Sequence, residues 1–346
     1  MNISITNFGN VPNVKLFTLV NSHGMTAKLT NLGAILVSLL VNDSNHNLVD
    51  VVLGFDEPEK YLNNNNCYFG STIGRNSNRI KNAQFIIDEN VYNLDQNEKS
   101  NNLHSGFNGY NKRIWDYEID ENNLAVIFTL NSPDGDQGFP GNFKVSVKYK
   151  LTDDNSLKIT YSGMSDKKTI VNMTNHSYFN LNGHNSGTAM NHSLHINASK
   201  YVPVDNELIP VGKLADVKNT PMDFTDFRSI GERINNNFEQ FKFTGGYDHS
   251  YVIDKKPRCL DKIATLIGDI TNIKMEVYSD CLGVQFYAGN YIDSVPQIGK
   301  ENSHYLNRSG VCLETGFLPD AINQPEFDSP ILNAGTEYHS KTIYKF

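Results

Sequence analysis

Along this chain of 346 residues, apolar and polar positions alternate with period two far more often than they recur every third or fourth place. In "KVSVKYKLTDDNSLKITYSG", Val145, Val147, Tyr149 and Leu151 alternate with Lys148 and Lys150, and after the "TDDNS" turn Leu157, Ile159 and Tyr161 resume the pattern. Successive side chains of a strand point to opposite faces, so this segment predicts a half-buried antiparallel hairpin. "AQFIIDENVYNL" predicts a second hairpin turning at Asp88 to Asn90, while "LAVIFTL", "KMEVYS" and "GVQFYAG" predict further short strands and "KTIYKF" a terminal one. Helical patterns are few: "EPEKYL" at 57–62 and "FRSIGERI" at 227–234. Many short strands punctuated by Gly, Asn, Asp and Pro predict an all-β fold, a large antiparallel sandwich or barrel. No linker, composition shift or fixed-period repeat divides the chain. One domain over residues 1–346 is expected, because all-β units often exceed 200 residues.

Composition adjusts this picture only slightly. Apolar residues at 39% and aromatics at 11% supply ample core material. The net charge of −8 and the absence of any Lys or Arg run make nucleic acid and anionic membranes poor partners. The opening "MNISITNFGN" has neither a basic leader nor an apolar core, and no stretch approaches the roughly 20 apolar residues of a membrane span. A cytoplasmic location is expected. Cys67, Cys259, Cys281 and Cys312 form no CxxC pair and read as free thiols of a reducing compartment. The N-x-S/T triplets at Asn172, Asn175 and Asn191, like the "NNNN" tract at 63–66, reflect a chain rich in asparagine.

The chemistry concentrates in polar islands between strands. "TNHSYFNLNG", at 174–183, sets His176 among amides and the Tyr178–Phe179 pair. Such a ring is either a structural core histidine or a proton-transfer group beside a ligand that favours aromatic and amide neighbours, as sugars do. "GRNSNRI" lacks the glycines of a dinucleotide fingerprint, and no phosphate-binding GxxxxGK[ST] or nucleophile-elbow GxSxG motif occurs. His192 and His195 in "NHSLH" fall on opposite faces of a strand, so no metal site is expected there. The remaining islands are "STIGRNSNRIKNA" with Asn78 and Arg79, "NNLHSG" with His104, "GGYDHSY" with Asp248, "GVQFYAGN" with Gln285, and "SGVCLETGFLPDAINQP" with Glu314.

Taken in order, and with "NLGAILVSL", "VVLGFDEPEKYL", "SPDGDQGFPGN", "YVPVDNELIPVG" and "TPMDF" between them, these segments resemble the aldose 1-epimerase family, the galactose mutarotases. The resemblance runs from about Asn31 to the C-terminus. It implies a β-supersandwich and a reaction, the interconversion of the α and β anomers of free aldohexoses such as galactose and glucose. It further implies His176 as general acid, Glu314 as general base and His104 as a third catalytic-site histidine. Asn78, Arg79, Tyr178, Asp248 and Gln285 are implied to hold the sugar together with His104. It implies a small monosaccharide as partner, no cofactor, no metal, and a monomer or homodimer. Two positions depart from the family pattern: "LETG" places Gly316 where a glutamine is frequent, and "LHSG" places Ser105 where a glycine is usual. Both bear on substrate preference rather than on reaction type.

The residue types suit that reaction on chemical grounds. Opening a pyranose at C1 needs a proton to leave the anomeric hydroxyl and another to reach the ring oxygen. A carboxylate suits the first transfer and an imidazolium the second, which predicts a bell-shaped pH profile with the carboxyl on the acidic limb and the imidazolium on the basic limb. The apolar "VCL" before Glu314 makes a desolvated base plausible. Three rival functions share the islands: a hexose-6-phosphate 1-epimerase, which would need a basic cluster; a glycoside hydrolase using Asp248 and Glu314 as paired carboxylates; and a non-catalytic sugar-binding sandwich, which would need no acid and base at one carbon.

Overall fold

The computed structural model describes residues 2–63, 67–294 and 298–346. The asparagine run at 63–66 lies outside the described residues except for Asn63. The fold is mostly strands, with two short α-helices, Pro58–Asn63 and Glu239–Thr244, among the described residues.

Three antiparallel sheets form the body. The largest has nine strands: Asp116–Asp120, Ala125–Ser132, Phe143–Leu151, Ser156–Ser165, Glu337–Lys345, Lys274–Ser279, Asp261–Ile267, Ser193–Ile196 and Arg228–Ser229, in that spatial order. The C-terminal strand Glu337–Lys345 therefore sits inside the sheet, hydrogen-bonded to Ser156–Ser165 on one side and Lys274–Ser279 on the other. A five-stranded meander covers residues 2–50. A second five-stranded sheet orders Ala215–Asp216, Lys200–Tyr201, Asp248–Val252, Gly283–Tyr287 and Cys312–Gly316.

One apolar core joins the inner faces of these sheets. Phe17 of the meander meets Phe128 of the large sheet edge-on at 5.4 Å between ring centres. Tyr344 of the C-terminal strand donates to the Leu313 carbonyl at 3.3 Å, and Thr342 meets Thr315, both on the second five-stranded sheet. The large sheet thus packs against both smaller ones, the arrangement by which a sandwich hides the alternating apolar positions of each strand.

The predicted hairpins form in the expected register, with Tyr149 opposite Ile159 and Phe85 opposite Tyr92. "EPEKYL" is the helix Pro58–Asn63, with proline in the first turn, where its missing N–H costs nothing. The helix expected at 227–234 is corrected: Arg228–Ser229 joins the large sheet as an edge strand, and only Ile230–Glu232 turns, as a 3-10 helix. Gly231 weakens helix formation there, and the backbone amides of Ile230 and Gly231 bond the carbonyls of His192 and Met190 instead.

Strand parity places the chemistry. On Cys312–Gly316, Leu313 and Thr315 face the large sheet, so Cys312 and Glu314 face the other way. On the neighbouring strands Val284, Phe286 and Tyr251 lie in the core, which turns Gln285 and Ser250 to the same side as Glu314.

Candidate active site

The site builds up on that outward face. Gln285 stands directly opposite Glu314 in the sheet register, and Ser250 opposite Gln285. The Ser250 hydroxyl donates to Gln285 Oε1, so the amide nitrogen is left to donate to Asp248 Oδ1 at 2.6 Å. One hydroxyl thereby fixes which end of the glutamine amide faces the carboxylate. Ser250 was not legible as a site residue; its signal was only a position two residues after Asp248, on the same strand face.

His176 ends the short strand Thr174–His176, which pairs with Ser71–Ile73. Its Nε2 lies 3.5 Å from Glu314 Oε1, and the other ring nitrogen, Nδ1, lies 3.5 Å from Cys312 Sγ. The ring is stacked on Tyr178 at 5.1 Å, tilted against Tyr68 at 5.6 Å, and edge-on to His104 at 5.4 Å. Tyr178 is buried beneath the histidine, with its hydroxyl bonded to the Cys67 thiol, so what it offers the site is a ring face under His176.

Asn78, Arg79 and His104 are held by a backbone clasp. The Asn78 amide donates to His104 Nδ1 at 3.2 Å, and the His104 amide donates to the Asn78 carbonyl at 3.2 Å. With Nδ1 accepting, neutral His104 carries its proton on Nε2. Asn78, His104 and Ser105 have φ of +63°, +52° and +71°, a left-handed region that non-glycine residues seldom occupy and that clusters at functional sites. Ser105 stands there in place of glycine because its hydroxyl accepts from the Asn76 amide at 2.8 Å and donates to the Asn76 carbonyl at 2.9 Å. That departure from the family pattern is a fastening of the loop.

Arg79 is gripped bidentately by Glu98, Nε to Oε2 at 2.6 Å and Nη2 to Oε1 at 2.8 Å. Burial works against its charge, but Glu98 and Asp248 outweigh that and hold its pKa above the ordinary value. Glu98, unread in the sequence, lies in the unremarkable stretch "LDQNEKS". The second departure, Gly316, is also resolved: a Cβ there would come within 2.5 Å of Asn172 Oδ1, which accepts from the Phe317 amide at 2.9 Å.

The electrostatics favour uncharged forms. Burial raises the Glu314 carboxyl well above its ordinary range, with the Asp248 charge adding to it and Arg79 opposing. Burial lowers His176 to about 4 and takes His104 well below its usual value, the latter helped by His176 and Arg79. Asp248 is likewise raised by burial, against Arg79 and the Gln285 bond.

Size alone would have pointed elsewhere. A groove of about 980 Å³ on the flank of the molecule contains none of the expected residues, and it meets the small polar pocket around Glu314 only at Gly316 and Phe317. His176, Cys312 and Glu314 offer metal-ligand atoms within 4.8 Å of one another. Cys312 meets Nδ1 and Glu314 meets Nε2, however, so the donors address opposite nitrogens of the ring rather than one ion. His192 and His195 do not converge: His192 accepts from the Leu181 amide and meets Asp269, while His195 packs on Phe227.

Residues 15–345 match the family model described as aldose 1-epimerase. The chain is 38% identical over 334 residues to the aldose 1-epimerase of Escherichia coli K12, spanning 96% of this chain and 95% of that protein. It is 38% identical over 346 residues to the galactose mutarotase of Homo sapiens, spanning 98% and 97%. Among solved structures, an aldose epimerase homologue from C. elegans superposes with a TM-score of 0.87 at 28% identity, covering 95% of this chain and 98% of that one. The galactose 1-epimerase of Lactobacillus acidophilus NCFM superposes at 0.86 with 26% identity, covering 100% and 98%.

Proposed function

Because the chain belongs to the aldose 1-epimerase family and is therefore an isomerase, we propose that its substrates are free aldohexoses, galactose and glucose among them, and that Glu314 and His176 exchange the two protons that open and close the ring. The observation that carries this reading is the buried contact of 3.5 Å between His176 Nε2 and Glu314 Oε1. The anomeric hydroxyl and the ring oxygen share one carbon, so an acid and a base serving both must end close together. A shared proton between two buried groups also keeps the pair neutral overall, which a desolvated site favours.

Between its two titrations the pair holds one proton in total. It rests as carboxylic acid and neutral imidazole, since burial disfavours both charges. Transfer of that proton across the contact gives carboxylate and imidazolium. The carboxylate then takes the proton of the anomeric hydroxyl while the imidazolium protonates the ring oxygen. The C1–O5 bond breaks, the carbonyl forms, rotation about C1–C2 presents its other face, and reversal of both transfers closes the opposite anomer. Each positioned transfer is worth about 10²–10⁴-fold. Arg79, Asn78, His104 from its Nε2–H, Asp248 and Gln285 orient the sugar hydroxyls around that centre.

Arg79 is tied to Glu98 rather than offered to a phosphate, which favours a neutral sugar over a hexose 6-phosphate. The deciding experiment is polarimetry of freshly dissolved α-galactose and α-glucose with purified protein. Relaxation faster than the buffer control is expected, and equal rates for both sugars with and without protein would refute the proposal. Incubation with chromogenic glycosides should release no reducing sugar.

A further inference from the structure

The strand that carries Glu314 also carries Cys312, two residues earlier and therefore on the same face. These two side chains reach the same imidazole from its two ends: Glu314 Oε1 at Nε2 and Cys312 Sγ at Nδ1, each at 3.5 Å. Both are buried, Cys312 fully so. From this geometry we infer that Cys312 is a positioning residue for the reaction: its thiol is the Nδ1 partner that fixes the plane and the tautomer of His176, so that Nε2 is held toward Glu314 and the anomeric centre. The inference deepens the acid–base reading of His176 and rests on it.

The ring–ring contacts fix its face but not its rotation. Tyr178 stacks beneath it, Tyr68 leans on it, and His104 meets it edge-on, contacts that a flipped ring would largely keep. A flip would exchange the ring's nitrogens for its carbons at the two ends. The tautomer of a histidine is set by the hydrogen bond at the nitrogen not in use; the side-chain partner at Nδ1 is Cys312, and the ring also bonds its own backbone.

A thiol is suited to a ring that alternates between two protonation states. It donates weakly through S–H and accepts weakly through sulfur. Toward neutral His176 with its proton on Nδ1, the Cys312 sulfur accepts from Nδ1–H and leaves Nε2 open to the proton of Glu314. Toward imidazolium, the sulfur keeps the same bond. Because sulfur is a poor acceptor, the charged ring gains little from it and remains a strong acid. Burial, helped by Glu314, Cys67 and Asp248, keeps Cys312 an uncharged thiol rather than a thiolate that would hold the charge of the imidazolium. The ionisable groups facing the ring are Glu314 and Cys312 from one strand, with His104, Tyr68 and Tyr178 around its faces; Arg79 acts on His104, and Asp248 acts on Glu314.

The test compares the full-length protein with Cys312→Ser and Cys312→Ala, following His176 by ¹⁵N ring correlations and measuring mutarotation against pH. In the unaltered protein His176 should show one neutral tautomer, protonated on Nδ1. Cys312→Ser should keep that tautomer. Its hydroxyl accepts more strongly from imidazolium, so the His176 titration and the pH limb it governs should move upward together. Cys312→Ala should show mixed tautomers and a kcat lowered roughly 10-fold with KM little changed, as expected when an orienting partner of a functional histidine is lost. A single Nδ1–H tautomer, an unmoved pH profile and full kcat in Cys312→Ala would overturn the inference. If the alanine variant does not fold, Cys312→Ser decides alone: an unshifted His176 titration there overturns it. Should the unaltered protein show no mutarotation at all, the acid–base reading fails, while the ring resonances still report whether Cys312 holds His176.

Discussion

At the scale of single residues, the proposed chemistry depends on two side chains that are ordinary until they meet. Glu314→Gln keeps size and hydrogen bonding but cannot cycle the proton, so kcat is expected to fall by at least ~10²-fold in a stopped polarimetric assay. His176→Asn should lose a similar factor while the thermal melt stays near that of the parent. Retention of most turnover by either variant reassigns its role, with His104 the next candidate for the acid. The pH dependence is more discriminating. His176 is lowered to about 4, so the pair gains its second proton only near that pH, and the rate should fall there. Burial raises Glu314 well above its ordinary value, so the pair should lose its last proton at a higher pH than a free carboxyl would, and the rate should fall again there. On the proposed mechanism the lower-pH limb is therefore expected from the imidazole and the higher-pH limb from the carboxyl, the reverse of free side chains. A kcat/KM profile whose acidic limb stays well above pH 4 in both buffer and D₂O would contradict this assignment.

At the scale of elements, the site is a meeting of short strands and loops rather than the property of one. The second five-stranded sheet supplies Asp248, Gln285 and Glu314 on one face, while the strand Thr174–His176 brings in His176. The clasp between Asn78 and His104 then closes the pocket with Arg79 and its Glu98 partner. Glu98→Ala should free the Arg79 guanidinium from its fixed fork, and loss of such positioning is expected to raise KM by roughly 10-fold with a smaller drop in kcat. Steady-state kinetics with galactose would reveal it, and an unchanged KM would mean that Arg79 is held in place by other contacts. The motif "SPDGDQGFPGN" has a different function from its neighbours in the sequence. It wraps buried Arg75, whose guanidinium donates to the carbonyls of Pro140 and Gly141 and to the Ser132 hydroxyl at 2.7–3.0 Å.

At the scale of the whole molecule, the last strand is the keystone of the largest sheet. Glu337–Lys345 lies between Ser156–Ser165 and Lys274–Ser279, joining strands more than 100 residues apart in sequence. It also carries Thr342 and Tyr344 against the inner face of the strand that holds Glu314. Deleting residues 337–346 should therefore abolish cooperative folding rather than merely trim an end, because both neighbours would expose ladders of unpaired amides and carbonyls. Circular dichroism and expression yield of the truncated chain would check this. A truncated protein that melts cooperatively would show that the two halves of the sheet are independently stable.

By itself the sequence determined the strand class and the positions of the clearest hairpins and strands, because period-two alternation and turn residues are local signals; the polar islands that stand out against apolar strands supplied the site list as an expectation. The chain-wide resemblance added an order to those islands that no single histidine or carboxylate carries. What only the tertiary structure decided is how they meet. Glu98 sits in an unremarkable segment, and Ser250 and Cys312 lie unmarked within the islands of Asp248 and Glu314; Ser250, Glu98 and Cys312 have partners 35, 19 and 136 residues away. The 227–234 segment has a helical pattern, yet it became an edge strand because the large sheet offered hydrogen bonds that a six- to eight-residue helix containing Gly231 cannot match. The protonation preferences of Glu314 and His176 are likewise absent from the sequence. They arise from burial, and burial is fixed only when three sheets have closed over the strands that carry the two residues.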